Sequence, residues 1–108
     1  MSYKSKLDCR GFEKWMVIKG ARLNGVQYIF RFDNNYGASV IKFTGTFGHV
    51  SDLWELAVIY FDKDGDYKIA YDTQIAYDVI GWLTDGEVRS YLDRIMKLPN
   101  RVTALDSH

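Results

Sequence analysis

A hydroxyl, an imidazole and a carboxylate crowd into the stretch Gly48-His49-Val50-Ser51-Asp52, which on residue types alone could move a proton or activate a nucleophile. A Ser-His-Asp relay works through converging geometry, which neighbours along a loop do not supply. The plainer reading is that His49 faces solvent or hydrogen-bonds backbone. Cys9 would be a weaker nucleophile for the same imidazole, because it lies in a polar stretch without a clear period. As the only cysteine, it also excludes an internal disulfide and a multi-cysteine zinc cage. Asp62-Lys63-Asp64-Gly65-Asp66 holds enough carboxylates to suggest calcium. A calcium-binding EF-hand loop needs Gly at its sixth position and a bidentate Glu at its twelfth. Counted from Asp62, those positions hold Tyr67 and Thr73, so the stretch reads as a hairpin turn. Gly37, Gly45 and Gly48 fit no phosphate-binding loop. No catalytic set, metal or cofactor is expected, and the chain reads as a protein that is not an enzyme.

Two kinds of binding chemistry remain. Arg31, Lys42 and Lys19 could share a sheet with Tyr28, Phe30, Phe32 and Phe43. Cations interleaved with rings are what single-strand nucleic-acid binders use to stack bases. The alternation of those rings at strand period supports a core role instead. Charge argues the same way. The formal net charge is zero, with an excess of positive charge over residues 1–20 and of negative charge over 62–88. A nucleic-acid binder usually shows a dominant basic field. Tyr36, Phe47 and His49 sit at turns with no periodic reason to be buried, and so mark a candidate protein-binding surface. Tyr36 also has the simpler option of packing over its own hairpin.

The elements that must position these groups follow from period and turn chemistry. Val26, Tyr28, Phe30 and Phe32 alternate on one strand face. Asn34, Asn35 and Gly37 make the next turn, Ala38 to Thr44 returns, and Leu53 to Phe61 is a nearly unbroken apolar strand. Trp15 to Ile18 reads as a first strand with Gly20 as a possible bulge, and Asn24-Gly25 as the hairpin that follows it. Tyr67 to Tyr71 returns from the acidic turn. Residues 72–83 are ambiguous, with Asp78 placed to cap a short helical turn around Val79–Trp82. Thr84-x-x-Glu87 is a capping box, and Val88, Tyr91, Leu92, Ile95 and Met96 form one helical face that Pro99 ends. The fold class is therefore α+β: a mainly antiparallel meander of about five strands, by this count of turn signals, with a C-terminal helix across one face. Residues 1–14 read as a mobile arm, 15–98 as a single domain and 99–108 as a tail.

The strand from Leu53 to Phe61 is apolar on both sides, and such strands are normally covered on both. One helix covers one face. The remainder calls for the N-terminal arm with the 72–83 segment, a second copy of the chain or a target, and a homodimer joined by sheet faces or edges is expected. Charges at Lys4, Lys6, Asp8 and Arg10 interrupt any signal-peptide core, and the longest apolar run, Leu56 to Phe61, is far too short to span a bilayer. The expectation is a cytoplasmic protein without membrane contact.

Several motifs together resemble a known group. They are Phe32-x-Asn34-x-Tyr36-Gly37-Ala38-Ser39-Val40, then Leu53-Trp54-Glu55-Leu56-Ala57-Val58, then Tyr71-Asp72-Thr73, then Asp78-Val79-Ile80-Gly81-Trp82-Leu83-Thr84. The pattern, over roughly residues 26–98, looks like small uncharacterised accessory proteins of tailed bacteriophages. That resemblance implies a context, the cytoplasm of a bacterial host, and a partner class, a host or host-defence protein to be bound, inhibited or redirected. It implies no catalytic residues.

Overall fold

A computed structural model describes residues 6–22, 25–43, 53–73, 75 and 79–101. Six antiparallel strands form one sheet: β1 (Met16–Arg22), β2 (Gly25–Arg31), β3 (Tyr36–Phe43), β4 (Trp54–Phe61), β5 (Tyr67–Ile69) and β6 (Ile80–Leu83). The order is β1-β2-β3-β4-β5, so the chain meanders. Helix α1 (Asp85–Met96) packs on one face, mostly against β3 and β4. This is the α+β architecture expected. None of the helices described is long and apolar enough to cross a membrane.

Strand β6 differs from the expected helical turn at 79–82. It pairs with the part of β4 near Trp54 and Leu56, while β5 pairs with Ile59 to Phe61 on the same edge. Two short strands thus share one side of β4. Asp78 lies outside the described residues. The bulge in β1 falls between Met16 and Ile18 and leaves Val17 unpaired in the register, not at Gly20.

Local chemistry explains the turns. Asn35 has φ +69°, a left-handed conformation that Asn tolerates, and closes the β2–β3 turn with its N–H on the Phe32 carbonyl at 3.3 Å. In the β4–β5 turn, Asp62 Oδ1 accepts from the backbone N–H groups of Asp64 (2.9 Å) and Asp66 (3.1 Å), and Gly65 supplies φ +86°. The Asp62 carboxylate is thus used to shape the hairpin.

The helix is fixed at both ends. Thr84 Oγ1 accepts from Glu87 N–H and Glu87 Oε1 accepts from Thr84 N–H, completing the capping box. At the other end no glycine follows to cap the last carbonyls. Asn34, buried in the β2–β3 turn, does so instead: its Nδ2 donates to the carbonyls of Ile95 (2.9 Å), Met96 (3.2 Å) and Leu98 (3.0 Å). Its Oδ1 accepts from Tyr36 N–H at 3.0 Å. Between these anchors Val88, Leu92 and Ile95 are fully buried against Tyr28, Val40, Trp54 and Leu56.

The arm departs from expectation. From residue 6 onward it is packed rather than loose. Leu7, Cys9 and Phe12 join the core on the helix side, with Phe12 edge-on to Phe32. The polar residues between them conceal this, because the apolar positions follow a tight turn (Phe12 N–H on the Cys9 carbonyl, 2.9 Å) rather than a regular period. The tail is likewise held as far as Arg101, whose N–H donates to the Asn34 carbonyl at 2.9 Å.

The second face carries no helix among the described residues, yet Ile29 and Ile59 are fully buried there and Phe61 nearly so. Val17 and Ile18 from β1 line the same groove as Tyr67 from β5, so the sheet curls about this face. Gly37 permits it. A Cβ there would run into the Phe30 carbonyl oxygen and come within 2.9 Å of Phe61 Cε1. The bare glycine leaves the slot in which the Phe61 ring lies.

Two substitutions test the helix attachment. Leu92→Ala is expected to cost ~2–5 kcal/mol in a denaturant melt, as for a fully buried leucine. Asn34→Ala should cost ~2–4 kcal/mol, several bonds at about 1 kcal/mol each. Asn34→Asp should be worse at neutral pH, because it turns a carboxylate toward three carbonyls. A loss under about 1 kcal/mol at either position would mean that the helix is not held to the sheet through that side chain.

Candidate binding surface

Strand β6 lifts a tryptophan into solvent. Leu83 pairs with Trp54 and Ile80 with Leu56, so Gly81 and Trp82 together oppose the single residue Glu55. That two-against-one count is a bulge. Leu83 is buried and Ile80 packs against the core, and Thr84 begins the helix directly afterward. The two residues between these anchors must absorb the mismatch. Trp82 does so with φ +66°, a conformation rare for a bulky side chain and worth ~1–3 kcal/mol of strain. Its side chain is left 71% exposed. A large flat apolar ring with one N–H donor is the residue type most enriched at contact hot spots.

Tyr36 lies at the other end of the sheet and takes the simpler of its two options. It is half-buried, pairs across strands with Tyr60, and its hydroxyl accepts from Arg101 at 3.2 Å. The Arg101 guanidinium lies over the Tyr60 ring at 3.9 Å and bonds both Asp72 carboxylate oxygens at 3.1 and 3.2 Å. Partial burial works against that charge, but the bonds to Tyr36 and Asp72 prevail and raise the Arg101 pKa above its already high value. The cluster closes the sheet end and seats the tail. Phe47 and His49 lie outside the described residues.

The three cations are not gathered. Arg31 is on the open face, over the Phe61 ring at 4.7 Å. Lys42 is on the helix face, 1% exposed, with its ammonium 4.3 Å from the centre of the Trp54 ring. Lys19 is on that face as well, 5.9 Å from the Tyr28 ring. Tyr28, Phe30 and Phe32 are buried in the core and have no free face for a base.

Beside Lys19 the arm and sheet border an open pocket of about 600 Å³, lined by Asp8, Cys9, Glu13, Tyr28 and Asp85 among others. Its walls are bound to one another. Asp85 accepts from Trp54 Nε1 (2.7 Å) and from Asp8 N–H (3.0 Å). Arg89 donates to the Asp8 carbonyl at 2.7 Å, and Tyr28 hydroxyl accepts from Leu7 N–H at 3.1 Å. Burial, with Glu13 nearby, pushes the Cys9 thiol pKa up, away from the reactive thiolate. Asp8 is paired with Arg10 through both carboxylate oxygens, and that hydrogen bonding lowers its pKa to about 2.

Sequence reasoning missed Trp82, as it missed the Arg101 cluster and the pocket under the arm. The signal for Trp82 was faint: a Gly-Trp pair immediately before a capping box. Comparison of the chain with protein families, curated proteins and solved structures finds no match.

The Asp8 pair gives a pH prediction. A depressed folded-state pKa means that whatever the pair adds is present above the ordinary value of 3.8 and fades as pH falls toward about 2. In a carboxyl-carbon NMR titration Asp8 should titrate near 2, and Arg10→Gln should return it toward 3.8. An Asp8 midpoint unmoved by that substitution would remove Arg10 as the cause.

Proposed function

We propose that this protein acts by binding another protein, without catalysis, and that Trp82 is its principal anchor. The display of Trp82 carries the reading: a 71% exposed ring held on strained backbone between Ile80, which packs against the core, and the buried Leu83. Strain that persists where an unstrained residue would serve the fold is a mark of function. The resemblance in Tyr36-Gly37-Ala38-Ser39-Val40 and Gly81-Trp82-Leu83-Thr84 supplies the context: a phage-encoded accessory protein in the bacterial cytoplasm, with a host or host-defence protein as target. The turns around Tyr36 and around Phe47 and His49 are secondary candidates for contact. Single-stranded nucleic-acid binding through Arg31, Lys42 and Lys19 has less support, since two of these cations lie across the sheet from the third and the neighbouring rings are buried.

The test separates fold from contact. Glycine tolerates positive φ, so Trp82→Gly should leave stability within about 1 kcal/mol of the parent or raise it. The same variant should lose the partner that tagged parent protein recovers from bacterial lysate, and Trp82→Phe should retain part of it. If Trp82→Gly recovers the same proteins as the parent, or neither recovers any, the proposal fails.

A further inference from the structure

We propose that the open, curled face of the sheet is a self-association surface whose occupant is a second copy of this chain. The face holds a groove of about 590 Å³. Ile29 and Phe61 form its floor, and Val17, Ile18 and Tyr67 form its rim at 54%, 47% and 39% exposure. Three large apolar side chains converge on one groove, a clustered rather than a scattered exposure.

The charges select the occupant. The groove carries one cation, Arg31 from β2, and one anion, Asp66 from the β4–β5 turn, both exposed. Around an apolar centre, that arrangement is its own complement. A two-fold axis that passes between Arg31 and Asp66 brings each Arg31 toward the other copy's Asp66 and sets rim against rim. A nucleic-acid backbone or an anionic membrane would instead meet Asp66 together with Asp62 and Asp64 of the same turn. The rim strand β1 is an edge, paired only with β2 among the described residues, so nothing described there blocks the approach. This surface is independent of Trp82, and its test does not involve that residue.

Sedimentation of the full chain at micromolar concentrations is expected to give twice the 12.5 kDa chain mass. Ile18→Glu should yield monomer. Arg31→Asp and Asp66→Arg should each weaken association at least about tenfold, and the double variant, which restores opposite signs across the axis, should regain it. Thermal melts check that each variant folds. Should Ile18→Glu not fold, Val17→Lys, at the most exposed rim position, replaces it with the same expectation. A parent protein of 12.5 kDa throughout overturns the proposal. So does a dimer indifferent to the rim substitutions, or a charge swap that fails to restore what the single reversals lose.

Discussion

The carboxamide of Asn34 is hydrogen-bonded to three carbonyls at the end of a helix 61 to 64 residues away in the chain. Helix ends leave their last carbonyls without partners, and many helices satisfy them locally with a glycine in the left-handed conformation. This chain places Leu98 and Pro99 there: Leu98 N–H reaches only the Ile95 carbonyl, at 3.1 Å, and Asn34 from the sheet serves that carbonyl together with those of Met96 and Leu98. The arrangement couples two elements that sequence distance would leave independent. The β2–β3 turn must keep its shape for Asn34 to point inward. The helix must end where it does for the amide to find carbonyls. The Arg101 backbone joins the same turn through the Asn34 carbonyl, so tail, turn and helix form one hydrogen-bonded knot.

The opposite end of the helix has a matching attachment. Asp85, in the first turn, takes the indole N–H of Trp54 on one oxygen and the Asp8 N–H on the other. The carboxylate also lies at the positive end of the helix dipole. Sheet, helix and arm are thereby pinned together at one residue, as turn, helix and tail are at Asn34 at the far end. A helix held at both ends presents Val88, Leu92 and Ile95 to the sheet in one register, and all three are fully buried there. The buried Lys42 ammonium lies beside Trp54 within this region, where a cation over an aromatic face gains from reduced screening.

The two faces of the sheet solve burial differently. One uses a helix and a packed arm. The other uses curvature: Gly37 gives up its side chain, Phe61 lies in the vacated slot, and Arg31 and Tyr67 flank the ring. Curvature buries a small cluster but leaves its rim in water. The bulge at Trp82 is a comparable compromise on the far edge of β4, where a register mismatch is absorbed at one strained residue and a large ring is left exposed. Both exposed regions arise at edges or irregularities of pairing, where backbone is least constrained and side chains can be aimed outward.

Much was legible in the chain itself, because it depended on local chemistry. The capping box at Thr84 and Glu87, the 3.6-residue period of Val88, Leu92 and Ile95, and the alternation of Tyr28, Phe30 and Phe32 each reflect interactions within a few residues of one another. Those signals were enough for the α+β class, the meander and the helix. The packed arm was not legible, since Leu7, Cys9 and Phe12 share no period and are buried only because the sheet provides a surface to fill. Nor was the separation of Arg31 from Lys42 and Lys19, because which face a side chain occupies depends on strand register, and a shift of one residue reverses it. Trp82 stood in the sequence as one more aromatic beside a glycine. Only the pairing of β6 with β4, which sets two residues against one between Ile80 and Leu83, decided that this ring faces water while Trp54, its equal in composition, lies at the centre of the core.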